Sequence, residues 1–292
     1  MRLLVTADLH YDSPRSREPV RALAEEACRG GGDVLVLVGD TAGVAHQPLR
    51  ECLALFGEFP GRRFLVPGNH CLWCLLEEDS IQRYEEILPA IAAEAGFSVL
   101  DHEPDVIEAT GLVGSVGWYD YSYRERRLKI PLEFYKAKVS PGAAEKFSEH
   151  RHLLETYRGK LADWHMNMNA RWMDGVRVRM NMTDEEFLDY LVGKLRGQLD
   201  RFQADAGVRR VVAFVHHLPF RQLVPTGRPP VLAFAAAYMG SDKIGRVLAD
   251  CPKLTHVFCG HSHWRDAVQI EKIKVINVGS TYTQKHLEVL DL

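Results

Sequence analysis

Five short stretches of this 292-residue chain place carboxylate, imidazole or amide side chains directly after an apolar run. Asp8 and His10 follow Leu3-Leu4-Val5, and Asp40 follows Val34–Val38 and Gly39. Asn69 and His70 follow Phe64-Leu65-Val66-Pro67-Gly68, His216 and His217 follow Val211–Val215, and His261 and His263 follow Thr255–Cys259 and Gly260. Carboxylate, imidazole and amide oxygen are the donors that bind borderline divalent cations such as Mn²⁺, Fe²⁺ or Zn²⁺. No thiolate belongs to the set, which argues against a structural Cys-rich zinc site. In Asp-x-His and His-x-His the two side chains share a face, because alternate residues of an extended segment point the same way. Asp8, His10, Asp40, Asn69, one of His216 and His217, His261 and His263 make seven candidate ligands. That is too many for one ion and suits two. A single His or Gly-Asp at a strand end is ordinarily a packing or turn residue; repetition at five strand ends carries the metal reading.

The elements that must position these residues follow from periodicity. Val34–Val38 is apolar without alternation, as expected of a strand covered on both faces. A helix is expected over about Ser16–Arg29, with Val20, Leu23, Ala24 and Ala27 on one face and Gly30-Gly31-Gly32 as its stop. A second follows Pro48 and buries Leu49, Cys52, Leu53 and Phe56, and a third covers about Glu77–Ala95. Strand, helix, strand, helix, strand describes an α/β protein with a parallel sheet, whose ligands gather beyond the C-terminal strand ends. Short strands are expected near Ser98–Leu100, Asp105–Glu108 and Leu112–Val116, and antiparallel strands in the tail from Ala267 to Leu290.

Between about residues 120 and 206 the texture changes to mixed charge without an apolar strand run, crowded with Trp, Met and Asn over Trp164–Gly175. Thr183-Asp184-Glu185-Glu186 has the form of a capping box opening a helix with Phe187, Leu188, Leu191 and Leu195 on one face. This segment is expected to be a mainly helical cap inserted in a single domain spanning 1–292. Its Trp, Tyr and Arg side chains could stack on bases or clamp phosphates. Trp118, Tyr119, Asn169 and Arg171 are the candidate substrate contacts, against the plainer alternative of a cap core with a solvated face.

The formal net charge of −3 gives no global reason to expect nucleic acid or an anionic membrane as partner. The apolar N-terminal stretch is too short for a signal peptide, no run approaches a membrane span, and the six cysteines form no disulfide framework. A cytoplasmic protein is therefore expected. Cys71-Leu72-Trp73-Cys74 could suggest a redox pair, but packing is favoured because no second pair accompanies it.

Asp-x-His, Gly-Asp, Gly-Asn-His, His and Gly-His-x-His, in this order over residues 8–263, resemble the motifs of the calcineurin-like metallophosphoesterase superfamily. The resemblance implies a four-layer α/β/β/α sandwich with two divalent ions (Mn²⁺, Fe²⁺/Fe³⁺ or Zn²⁺) at the sheet edge. It implies that Asp8, His10 and His263 hold one ion, that Asn69, His216 and His261 hold the other, and that Asp40 bridges both. It favours His216 over His217, and makes His70 a catalytic group beside the metals. Many members follow Gly-Asn-His with a carboxylate that can orient the imidazole; here Cys71 stands instead. The implied reaction is hydrolysis of a phosphate mono- or diester, on a small molecule or a protein, by a hydroxide bridging two ions ~3.5–4 Å apart. His70 would assist at the leaving oxygen. A metal-dependent nuclease, which would need a basic track, and a non-catalytic binding module on the same fold are the alternatives.

Overall fold

A computed structural model describes residues 1–75 and 77–292. Two sheets stack face to face. The first has the order β11-β1-β2-β3-β4, formed by Glu288–Asp291, Arg2–Ala7, Val34–Val38, Arg62–Val66 and Ser98–Val99. β1 to β4 run parallel, and β11 adds antiparallel to β1. The second has the order β5-β6-β7-β8-β10-β9, formed by Asp105–Ile107, Thr110–Ser115, Arg210–Val215, Leu254–Cys259, Ile273–Asn277 and Asp266–Ile270. β6, β7, β8 and β10 are parallel, with β5 and β9 antiparallel at the two edges.

Strand alternation divides the core in two. Val34, Val36 and Val38 of β2 point between the sheets, where they meet Val5, Phe64, Leu112, Val212, Phe214 and Phe258. Leu35 and Leu37, one residue out of phase, point to the outer cluster with Val20, Leu23, Leu49 and Leu53 of the flanking helices. The inter-sheet layer and the helix-facing layers together make the four-layer α/β/β/α sandwich expected from the motifs.

Helices Pro14–Gly30 and His46–Ala54 connect the first three strands. The first ends where Gly31 takes φ 62°, a conformation a side chain disfavours. The stretch expected as one helix from Glu77 begins at Ser80 and runs as Ser80–Gln82, a π-helical turn Arg83–Ile87, and Leu88–Glu94. Residues 116–209 connect the parallel strands β6 and β7. They contain short helices (Leu132–Lys136, Pro141–Ala144, Arg151–Tyr157 and Asp174–Arg177), 3₁₀ turns, and one isolated bridge between Val139 and Arg171. Helix Asp184–Ala204 closes the segment. Its capping box is present, with Thr183 accepting from the Glu186 N–H and Glu186 accepting from Thr183. This helix packs on β6 and on helix Asp242–Ala249, so it covers the second sheet.

Candidate metal centre

Register brings the expected ligands together. Ala7, Val38 and Val66 stand in line as paired residues of β1, β2 and β3, so the residues that follow leave the sheet at one level. Backbone bonds continue past the strands, from Asp8 N–H to the Gly39 carbonyl (3.1 Å), His10 N–H to the Asp40 carbonyl (2.7 Å) and Gly260 N–H to the His216 carbonyl (3.1 Å). Asp8, His10, Asp40, His261 and His263 all take positive φ, between 44° and 71°. Five non-glycine residues in this conformation where strands of the two sheets end are a mark of a functional site. A side chain at Gly68 would fall on the Asp40 carboxylate and the His216 imidazole, so the turn that presents Asn69 needs glycine.

Three overlapping groups result, namely Asp8 with His10 and His263, His10 with Asp40 and His70, and Asp40 with His216 and His261. His10 Nε2 lies 3.0 Å from His263 Nε2, and His263 Nε2 3.7 Å from an Asp8 oxygen. Asp40 Oδ2 is 3.4 Å from His216 Nε2, 3.8 Å from His10 Nε2 and 3.9 Å from His70 Nε2. Asn69 Oδ1 is 3.3 Å from His216 Nε2. Donors about 2.1 Å from a shared cation stand roughly 3.0–3.4 Å apart at octahedral or tetrahedral angles, so this set fits divalent metal.

Backbone carbonyls fix the tautomers. His216 Nδ1 donates to the Val38 carbonyl (3.2 Å), leaving Nε2 for the centre. His261 Nε2 donates to the Tyr238 carbonyl (3.1 Å), leaving Nδ1. Asp8 is held by the His261 N–H on both oxygens (2.9 and 3.1 Å) and Asp40 by the His70 N–H (2.9 Å).

Burial presses on the whole cluster. It raises the Asp8 carboxyl, against the pull of His263 and His216. It would raise Asp40 as well, but His216, His70 and His10 hold that carboxyl well below the usual range. It acts downward on His216, yet the adjoining Asp40 brings that imidazole up to about 9. His10 and His261 are driven well below an ordinary imidazole.

The two histidines of Val-His-His differ in their surroundings. His217 donates from Nδ1 to the Val116 carbonyl (2.9 Å), belongs to none of the three groups, and is pushed down to about 3 by burial and then by His216. His70 is stacked on Trp73 with ring centroids 3.6 Å apart, and among the described residues Asp40 is the one carboxylate within 4.0 Å of it. Of the four candidate substrate contacts, Trp118 and Tyr119 are fully buried, with their polar atoms on Asp184 (2.8 Å) and Asp174 (3.0 Å). Arg171 lies over Phe147 and pairs with Glu149, and Asn169 is exposed in the cap. Cys71 and Cys74 are buried free thiols, and burial raises Cys71 to about 11, which disfavours its thiolate.

Three supporting residues escaped the sequence reading. Arg83, fully buried on the π-helical turn, donates to the carbonyls of Cys71 (2.6 Å), Gly43 and Val44 (both 2.9 Å), tying the loops after β2 and β3 together. Lys285 donates to the Asp8 carbonyl (2.6 Å) from the loop before β11. Asp174, in the cap, accepts from the Asn69 amide (2.8 Å).

Two stacked, mostly parallel sheets whose strand ends converge on Asp, Asn and His donors have the make-up of a metal-dependent hydrolase. The sequence pattern of the calcineurin-like phosphoesterases matches residues 1–265, and the chain belongs to that family. Comparison with curated proteins gives no sequence match. Among solved structures, the phosphopantetheinyl hydrolase of Mycobacterium tuberculosis is similar at a TM-score of 0.66 and 19% identity, over 96% of this chain and 89% of that one. A dimetal phosphatase of Danio rerio is similar at 0.55 and 15%, over 99% and 91%. The protein is a hydrolase acting on phosphoric ester bonds. No helix among the described residues is long and apolar enough to cross a membrane.

Proposed function

We propose that the protein hydrolyses a phosphodiester, with Asp8, His10 and His263 holding one ion, Asn69, His216 and His261 the other, and Asp40 between them. Mn²⁺, Fe²⁺/Fe³⁺ or Zn²⁺ suits these donors. When bound, two such ions acidify water and neutralise charge on the phosphoryl oxygens. The chain's own residues do the rest. Asp40 lends Oδ2 to the imidazoles while its Oδ1 is pinned by the His70 N–H, so it cannot rotate away. His70, whose Nε2 lies 3.9 Å from Asp40 Oδ2, would hand a proton to the leaving oxygen.

The observation that supports a diester is the framing of the open side. His70 and His263 are its exposed members, with side chains 20% and 27% accessible, while Asp8 and His216 are fully enclosed. The groups beside them are aromatic, with Trp73 stacked on His70 and Tyr282 stacked on His10 at 4.6 Å. A dianionic monoester gains most from guanidinium or ammonium clamps. A monoanionic diester with an apolar leaving group suits aromatic walls better. With Mn²⁺ loaded, kcat/KM for bis-p-nitrophenyl phosphate should exceed that for p-nitrophenyl phosphate at least tenfold. Preference for the monoester would overturn the diester assignment, and no turnover of either would leave only a binding module. A small-molecule or protein substrate is favoured over DNA because the chain is slightly acidic overall. The six free thiols suit a reducing, cytoplasmic setting.

A further inference from the structure

We infer that Asp174, carried by the cap, is the positioning residue for both Asn69 and His70, so that the cap is part of the metal centre. This rests on the reading of the strand-end cluster as a two-ion site.

Asp174 is 1% exposed and its carboxylate is filled on both sides. Oδ1 accepts from the Asn69 amide (2.8 Å) and the Trp73 indole (2.7 Å). Oδ2 accepts from the Trp172 indole (2.7 Å) and the Tyr119 hydroxyl (3.0 Å). A carboxylate can only accept, so it selects one of the two faces of the Asn69 amide. The NH₂ must turn toward Asp174, which leaves Oδ1 turned to His216, where a metal donor is wanted. Without that partner the amide could turn over and offer its NH₂ to a cation.

The same oxygen fixes a second side chain. Trp73, anchored through Nε1, lies against His70 with ring centroids 3.6 Å apart and planes inclined by 22°. Cys71 occupies the place where a carboxylate could have oriented His70. Here the ring is held by its face instead, which restricts its rotation and adds no negative charge beside it. The other oxygen acts in the same sense at longer range. Trp172 stacks on Tyr238 at 4.9 Å, and the Tyr238 carbonyl holds His261 Nε2.

The test is calorimetric titration of the metal-free full-length chain with Mn²⁺, comparing wild type, Asp174→Asn and Asp174→Ala. Wild type should take two ions; fewer than two would mean that the centre itself has been misread. In Asp174→Ala, affinity for one ion should fall roughly 10–100-fold while the other, held by Asp8, His10 and His263, is unchanged. Asp174→Asn should fall between, because its one oxygen can serve Asn69 or the Trp172 side but not both. Equal weakening of both ions, or no weakening in folded variants, would overturn the inference with the two-ion reading intact. If the alanine variant does not fold, the asparagine variant decides by the same split. Trp73→Phe examines the other branch. It should keep both ions and KM but lower kcat several-fold, and wild-type kcat would remove His70 from the proposal.

Discussion

Asp40 and Asp174 are both buried carboxylates near the end of β3, and they differ in what surrounds them. Asp40 Oδ2 is faced by the Nε2 atoms of His10, His70 and His216, groups that can each hold a proton or offer a lone pair. Asp174 is faced by an amide, two indoles and a phenol, all neutral groups that only need an acceptor. Several imidazoles around one carboxylate are reconciled by a cation, whereas four donors around one carboxylate are already satisfied. The job of a buried acid is thus read from its neighbours: Asp40 is where charge must enter, and Asp174 is where geometry is kept.

The most severe way to break this contrast is Asp40→Asn. The imidazoles lose their counter-charge and, on the proposed assignment, the two ions lose the ligand they would share, so kcat/KM should drop about 10³-fold or more. Metal content by elemental analysis should drop with it. An Asp40→Asn protein that kept both ions would place the bridge elsewhere. His70→Ala should cost about a hundredfold in kcat. It should leave metal content intact, because Asp40 retains His10 and His216. His70 lies within ligand reach of His10 and Asp40, so a depleted ion in that variant would transfer it to the ligand set.

The two carboxylates also differ in how visible they were in the sequence. Asp40 follows a five-residue apolar strand and a glycine, and its companions repeat that form, so strand ends alone pointed to Asp8, His10, Asn69, one of His216 and His217, His261 and His263. Parallel register then aligns Ala7, Val38 and Val66, so the residues that follow these three strands leave the first sheet at one level. Asp174 sits in a segment without sheet register, where short helices and 3₁₀ turns leave no period to extrapolate. Trp118 and Tyr119 were plausible substrate contacts by type, yet both are buried with their polar atoms on Asp184 and Asp174, a matter decided by tertiary packing. Arg83 and Lys285 act on backbone carbonyls far away in sequence, which no local pattern reports.

Asp101 supplies the third case, a buried carboxylate with too few partners. Its Oδ2 accepts from the Val116 N–H (2.6 Å) and the Tyr84 hydroxyl (3.2 Å), while Oδ1 is buried without a hydrogen bond. Burial accordingly raises this carboxyl from 3.8 to about 7, in the opposite sense to Asp40. The folded state holds the proton more tightly than the unfolded chain, so stability is greatest below the unfolded value and declines as pH rises from about 4 to about 7. Above that window both states are ionised and the full penalty persists. Asp101→Asn carries no such charge. Its advantage over wild type in urea unfolding should therefore grow by roughly 2–3 kcal/mol between pH 5 and pH 8, with kcat unchanged at either pH. A gap that stays constant across that range would show that Asp101 remains ionised throughout. Two donors would then suffice to keep a buried acid charged, and the neighbour count that separates Asp101 from Asp174 would lose its force.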